Sequence, residues 1–410
     1  MDTVTIIYLV MFFFGIYFLL LFLILYQRNK ETFYDYPKPT KFPTVSFIVP
    51  AYNEEDSIAN TLNALLAINY PAGKKEIVVV NDESKDRTAE IVKSFCKKYP
   101  KIIKLLDKKN SGKADSVNQA LKIVKGQLVA ITDADSYPEP EALMKMVGYF
   151  EEDPEVAAVT SRVLVKNKKN FIEKFQDFDY HVIAWSRKVL DYIGCVYVTN
   201  GPLSIYQTAL LREVGGFDTK NLTEDIEITW RLLSKGYKTK MSYDATVYTT
   251  TPSKFGRWIN QRTRWNIGGL QTVYKYKNFF LRGKNLFGYF VISYVSLAFF
   301  LSLIGFFLLA RYLWIKGVFY LFLTPAIFKG YNPFQALEFN FFFTLLFILG
   351  GVFFVLSFYY YSIAIKDLKY KSKSLLMILV YVFIYRPLYI IPYLISLYKL
   401  AKGDIGWYTK

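Results

Sequence analysis

Two cysteines and one histidine are all that 410 residues hold of thiol and imidazole ligands. Cys96 and Cys195 cannot build a disulfide framework or a cysteine-based zinc cluster, and His181 alone leaves little room for a His-rich metal site. Two common nucleotide motifs are missing as well. No G-x-G-x-x-G follows the first predicted strand, and Gly112-Lys113-Ala114 lacks both the upstream Gly and the Ser/Thr of a P-loop. Dehydrogenase and P-loop NTPase readings fall away with them. Whatever this chain catalyses, carboxylates must do most of the work.

What is abundant is apolar and aromatic: 53% apolar residues, with 36 Phe and 34 Tyr, a composition that argues against disorder. Residues 4–26 form a run of 23 without a charge. As a helix it would be roughly 34 Å long, enough to cross a bilayer core. A cleaved signal peptide fits poorly, because no basic residue precedes the run and no small-residue cleavage site follows. Arg28 and Lys30 flank its C-terminal end, so the charge rule puts the N-terminus outside and residue 30 onward in the cytosol. Apolar stretches return at 286–314, 337–363 and 374–398; Lys366, Lys369, Lys371 and Lys373 between the last two are expected inside. Arg386-Pro387 interrupts the last stretch, which predicts a helix that is kinked, buried against others or partly interfacial.

Between the membrane segments, short β-branched runs alternate with helical ones. TVSFIVP (44–50), EIVVVND (76–82), IIKLLD (102–107) and QLVAITDADS (127–136) read as strands, separated by helices over 54–66, 86–99 and 112–124. Such alternation predicts a mainly parallel, doubly wound sheet, with ligands at the carboxyl ends of its strands. Those ends carry Asn53-Glu54, Asn81-Asp82 and Asp133-Ala134-Asp135.

A lone D-x-D is most simply an acidic turn, yet two hard oxygen ligands are also what Mg²⁺ or Mn²⁺ takes when it holds a diphosphate. Thr223-Glu224-Asp225 precedes an amphipathic run and reads first as a helix start, with Thr223 as cap and the acids favoured by the helix dipole. Gln261-Arg-Thr-Arg264-Trp265 lies on a predicted helix from Lys254 to Tyr276, where a basic aromatic stretch is most often a headgroup anchor. Arg264 could also clamp a diphosphate and Trp265 stack on a sugar. His181, in a predicted helix, suits packing or the membrane surface.

Taken in order, PAYNE (50–54), VVNDESKDRT (79–88), GKADSVNQAL (112–121), DADSYPEPEAL (133–143), NGPLSIY (200–206), VGGFD (214–218), TED (223–225) and QRTRW (261–265) resemble the processive membrane branch of glycosyltransferase family 2, which includes hyaluronan, chitin, cellulose and poly-N-acetylglucosamine synthases. The resemblance implies an α/β, GT-A-type (Rossmann-like) cytosolic catalytic domain plus an α-helical transmembrane bundle. Its layout would be a helix over 1–30, the catalytic domain over 31–252, interface helices over 253–285, further membrane helices over 286–398 and a gating tail over 399–410.

By the same resemblance, Asp82 contacts the uracil or ribose of a UDP-sugar, with Ala51, Tyr52, Glu54 and Lys113 nearby. Asp133 and Asp135 match the metal motif, Asp135 as the more direct ligand of Mn²⁺ or Mg²⁺. Gly201, Pro202 and Leu203 match an acceptor-side loop, and Asp225, beside Glu224, matches the general base. Gln261 and Arg264 match the diphosphate segment, and Trp265 the acceptor platform. Trp407, Thr409 and Lys410 resemble a tail that closes over nucleotide, which requires a cytosolic C-terminus. Departures are Glu83 where Gly is usual, Asp115 where a small residue is common, Asn200 in place of Ser, and Tyr408 and Lys410 in the tail.

The expected activity is inverting extension of a polysaccharide from a UDP-sugar, with UDP-N-acetylglucosamine the first candidate and a second donor allowed. The chain would sit as a multi-pass protein of the plasma membrane, with membrane lipids around it and a homo-oligomer or small accessory membrane subunit compatible. Transfer of one sugar to a polyprenyl acceptor is the enzymatic alternative. A basic membrane protein binding anionic lipid is the non-enzymatic one; the +17 charge clusters near membrane boundaries, and no nucleic-acid motif accompanies it.

Overall fold

A computed structural model describes residues 3–283, 285–328, 345–368 and 375–404. Trp407, Thr409 and Lys410 of the expected gating tail lie outside the described residues, as do Lys369, Lys371 and Lys373. The first helix, α1 (Thr3–Asn29), contains the charge-free run and ends with Arg28 in its last turn. The chain then enters a sheet through β1 (Val45–Ala51), whose seven residues are all buried, as a strand covered on both faces requires. Helices α2 (Ile58–Leu66), α3 (Thr88–Lys98) and α4 (Lys113–Ile123) alternate with β2 (Lys75–Asp82), β3 (Ile103–Lys108) and β4 (Leu128–Ile131). These four strands are parallel, in register from Val45↔Lys75 to Ala51↔Asn81 on one side of β1 and Val45↔Leu128 on the other.

Beyond β4 the expected parallel pattern changes. After β5 (Ser136–Pro138), α5 (Met144–Glu152), β6 (Val156–Val165) and α6 (Phe171–Asp191), strand β7 (Ser204–Gln207) runs antiparallel to β4. The chain re-enters the sheet here from the Gly201–Leu203 loop, at the end where β4 leaves it, so its direction must reverse. With α7 (Thr208–Glu213), α8 (Glu224–Ser234) and β8 (Lys238–Thr249), the sheet closes as an eight-stranded mixed one, in the order β3-β2-β1-β4-β7-β6-β8-β5. Ile48, Val78, Val80 and Ile131 face one apolar layer; Phe47, Val49, Ile77 and Val79 face the other.

A long amphipathic helix, α9 (Phe255–Lys275), follows, then α10 (Ile292–Phe328), α11 (Leu345–Ala364), α12 (Leu375–Val380), α13 (Arg386–Leu388) and α14 (Ile390–Lys402). Among the described residues four helices are long and apolar enough to cross a membrane: Thr3–Asn29, Phe287–Ile315, Leu345–Ala364 and Leu375–Lys402. The last is broken by a π-helical turn at Tyr381–Tyr385 just before Arg386-Pro387, where proline removes a backbone donor. Phe13 and Val355, each 64% exposed, turn apolar surface outward from the bundle, which hydrocarbon accepts and water does not.

The helix predicted around His181 is present, but its packing against the apolar helices was not foreseen. Helix α6 starts with a reciprocal cap, Asn170 accepting from the Glu173 amide while Glu173 accepts from Asn170. Its face then carries Phe175, Phe178, Val182 and Trp185 into a core shared with Phe22 of α1, Ala364 of α11 and Tyr381 and Tyr385 of the last span. Phe178 stacks on Tyr381 with ring centroids 4.0 Å apart, and Trp185 meets Tyr360 edge-on at 4.9 Å. His181 belongs to this helix and packs as expected. Its Nδ1 donates to the Asp177 carbonyl at 2.8 Å, and burial lowers its basicity.

Candidate active site

Strand ends set the floor of the site. After β1, Asn53 takes a left-handed φ of 53°; its side-chain oxygen accepts from the Lys85 amide, while its amide donates to Ser84. Beside it, Ala51 closes β1 as a buried residue, Tyr52 is half-buried, and Glu54 donates its amide to Thr88 and accepts from Ser57. Glu83 has φ 62°, the left-handed conformation that glycine adopts freely, at the position where the resemblance implies glycine. Asp82 is buried and fully engaged: it accepts from Lys108 and from the amides of Ser111 and Gly112, which pins the loop that opens α4. Gly112, at φ 91°, lets that loop turn into the helix. Asp115 joins the cluster through Ser111 and Lys108.

The first residue of α4, Lys113, reaches the centre. Its Nζ is 2.6 Å from Asp133 Oδ1 and 2.9 Å from Glu224 Oε1, so one ammonium joins the D-A-D strand end to the T-E-D helix start. Burial alone would lower the Lys113 pKa, but Asp133, Glu224 and Asp225 hold it well above the ordinary lysine value. Gly201 lies against the same pair. A Cβ there would stand 2.7 Å from both Asp133 Oδ2 and Lys113 Nζ, so a larger residue would have to displace the ends of this ion pair. Pro202 is half-buried, whereas Leu203 is fully buried in the core beneath the loop. Asn200 donates its backbone amide to Thr160 and its side-chain amide to the Ser161 carbonyl, and its side-chain oxygen accepts from Arg187.

Asp133 and Asp135 are the hard-oxygen carboxylates here that could hold a cation. Among the described residues no group of three or more His, Cys, Asp or Glu could hold a metal by itself. Two carboxylates near one strand end would suit a hard divalent cation such as Mg²⁺ or Mn²⁺ only with further ligands from elsewhere. Asp135 Oδ1 lies 3.5 Å from Thr249 Oγ1.

Asp225 sits in the first turn of α8 and accepts from the Ile226 amide. Thr223 occupies the cap position, but its hydroxyl donates to Asn221 instead of capping the helix. Burial and the neighbouring Glu224 charge push the Asp225 carboxyl up to about 6, against the opposing pull of Lys113 and Arg264. Such a group is a carboxylate at neutral pH, yet basic enough to accept a proton.

Helix α9 forms the roof. Arg264 donates to the Leu222 carbonyl, Gln271 accepts from the Leu222 amide, and Thr272 accepts from Asn221, so this helix holds the loop that presents Asp225. Gln261 and Trp265 lie one turn apart on it. Trp265 lines a cavity of about 270 Å³ with Tyr197, Trp230, Tyr294 and Phe299. The structure thus brings Lys113, Asp133, Gly201, Glu224, Asp225 and Arg264 together, while Asp82 and Glu54 lie toward the β1–β2 edge.

Sequence reasoning missed Gly268 and the residues around Arg262. A Cβ on Gly268 would come within 2.2 Å of Thr223 Oγ1, so this glycine is what lets α9 touch the T-E-D loop. Its signal was a Gly-Gly pair inside an otherwise helical run. Arg262, fully buried, bonds Asp179 of α6. Its signal was a second arginine inside Q-R-T-R-W.

Comparison with known proteins agrees with this architecture. A family model described as "Glycosyltransferase like family 2" matches residues 43–268. Poly-beta-1,6-N-acetyl-D-glucosamine synthase of Staphylococcus epidermidis is 31% identical over 231 residues, 56% of this chain and 55% of that protein. The synthase of that name from Staphylococcus aureus strain MSSA476 is 32% identical over 230 residues, with the same shares. The chain thus spans about half the length of the curated relatives it matches. A mannosyltransferase from Pyrobaculum calidifontis, solved in complex with GDP-Man and Mn²⁺, superimposes with a TM-score of 0.59 over 89% of this chain and 99% of that one, at 24% identity, a likeness of fold.

Proposed function

The chain belongs to glycosyltransferase family 2, and from that premise we propose that it is a membrane-embedded inverting synthase that extends a polysaccharide from a UDP-sugar and passes the product across the membrane. The observation that carries the reading is the Lys113 bridge, which draws the Asp133 strand end and the Glu224-Asp225 helix start onto one point. N-acetylglucosamine is the favoured sugar, supported by the staphylococcal synthases and by the T-E-D and Q-x-x-R-W motifs.

In this mechanism Asp225 takes the proton of the acceptor hydroxyl as that oxygen attacks the anomeric carbon from the face opposite UDP. Reading Asp225 as the sole base, with Glu224 and Asp133 both paired to Lys113, favours one displacement and hence inversion. Asp133 and Asp135 would hold Mn²⁺ or Mg²⁺, which when bound offsets the charge of the leaving diphosphate. Arg264 contributes positive charge at the same place. Asp82, Ala51, Tyr52, Glu54 and Lys113 form the nucleotide side, Gly201 and Pro202 the loop above it, and Trp265 the acceptor platform. The catalytic domain faces the cytosol in this reading. Changing Asp225→Asn should lower transfer about 10²–10⁴-fold while UDP affinity stays within a fewfold; transfer near the unmodified rate would refute the assignment.

One observation favours a second acceptor class. The cavity beside Trp265 is also lined by Val295, Ala298 and Phe299 of α10, which lies within a span long enough to cross a membrane. A lipid-linked acceptor would find apolar contacts there. Sizing the product made from labelled UDP-sugar separates the two, since a polymer ladder supports extension and a single small lipid-soluble product supports the alternative.

A further inference from the structure

Arg262 lies inside the Q-R-T-R-W run, in a cluster where three parts of the chain meet. Its Nη2 is 3.2 Å from Asp179 Oδ2 on α6, and both side chains are 1% exposed. Asp179 is shared: Tyr381 donates to its Oδ1 at 2.7 Å, and Tyr389 donates to Oδ2. Both tyrosines belong to the last membrane-length segment. The guanidinium carbon lies 4.0 Å from the ring centroid of Trp265 and 5.5 Å from that of Tyr389. Tyr180, next to Asp179, has its ring 6.5 Å from Trp265. A planar cation at 4 Å covers one face of an indole and fixes its tilt, leaving the other face for a ligand.

We propose that Arg262 is a positioning residue for the acceptor. Clamped by Asp179, Tyr381 and Tyr389, it holds the Trp265 ring at the angle an incoming sugar needs, so the last membrane helix sets the acceptor geometry without touching the reacting atoms. This rests on the reading of Trp265 as the acceptor platform. It goes beyond that reading in giving a role to Arg262, Asp179, Tyr381 and Tyr389, which no motif singles out.

The test uses the full chain in lipid nanodiscs, with Tyr389→Phe and Arg262→Lys as variants. Tyr389→Phe removes one hydroxyl and keeps the ring, so it preserves the fold. Two readouts are taken. The first is the KM of an added N-acetylglucosamine oligosaccharide against that of UDP-N-acetylglucosamine. The second is acrylamide quenching of Trp265, isolated as the difference from a Trp265→Phe counterpart, which needs no turnover.

Both variants should raise the oligosaccharide KM about threefold to thirtyfold, the range of one cation–π contact. The UDP-sugar KM should move less than about twofold, and Trp265 should become more easily quenched. An unchanged oligosaccharide KM, or unchanged quenching, in variants that still bind UDP overturns the inference. If the unmodified chain transfers no sugar from any UDP-sugar, the proposed function fails instead, and the quenching comparison alone still decides whether Arg262 positions the ring.

Discussion

Asp225 is a carboxylate whose burial works against its own ionisation, and that conflict has two measurable consequences. Because its proton leaves near pH 6, kcat/KM should fall about tenfold per unit below that pH. A pH–rate profile checks this, and a flat acid limb to pH 5 contradicts the assignment. Stability runs the other way. The folded chain keeps a proton that the unfolded chain releases near pH ~3.9, so this group's contribution is full at low pH and lost as pH rises through about 6. Asp225→Asn should therefore raise Tm at pH 7.5 and raise it less at pH 5. Much at this scale was readable from sequence: Lys113, Asp133, Glu224 and Asp225 do converge, and Glu83 does adopt the conformation of the glycine it replaces. Arg262 left a trace as the second arginine of Q-R-T-R-W, but its pairing with Asp179 was not readable, because a buried ion pair between residues 83 apart leaves no local spacing to find.

Helix α9 shows what one missing side chain can do for an element. Thr223 sits against Gly268, while Glu227, wholly buried on α8, takes hydrogen bonds from Arg231, Lys275 and Tyr276. The two helices are thus locked at both ends of their contact. Gly268→Ala should push them apart at a cost of about 1–3 kcal/mol, seen as a lower Tm. Transfer should fall by more than that loss of folded protein explains, since the loop presenting Asp225 moves with the contact. Transfer falling only in step with folded protein would show that the contact is structural alone. The extent of α9 was legible because basic and aromatic residues recur with helical period between Lys254 and Tyr276. The antiparallel direction of β7 was not, because a run as short as Ser204–Gln207 has no polarity of its own.

Across the whole molecule, the aromatic surplus finds a place the composition did not suggest. It fills a continuous core between α6 and the apolar helices. Asp367, just after α11, adds a polar latch by accepting from Tyr34 at 2.9 Å and from Arg162 of β6 at 3.1 Å. Asp367→Ala should lower the Tm of the full chain in nanodiscs with a loss of about 1 kcal/mol; no change would mean that the aromatic core alone joins these parts. The spans could be read from hydropathy, but their partner face could not, since lipid and a protein aromatic core both accept Phe and Tyr.

That shared core gives the molecule no point of division. Excising residues 31–252 would bare Phe175, Phe178 and Trp185 to water together with the severed half of the Asp179 cluster. A soluble fragment of the catalytic fold would then be a sticky, partly unfolded species.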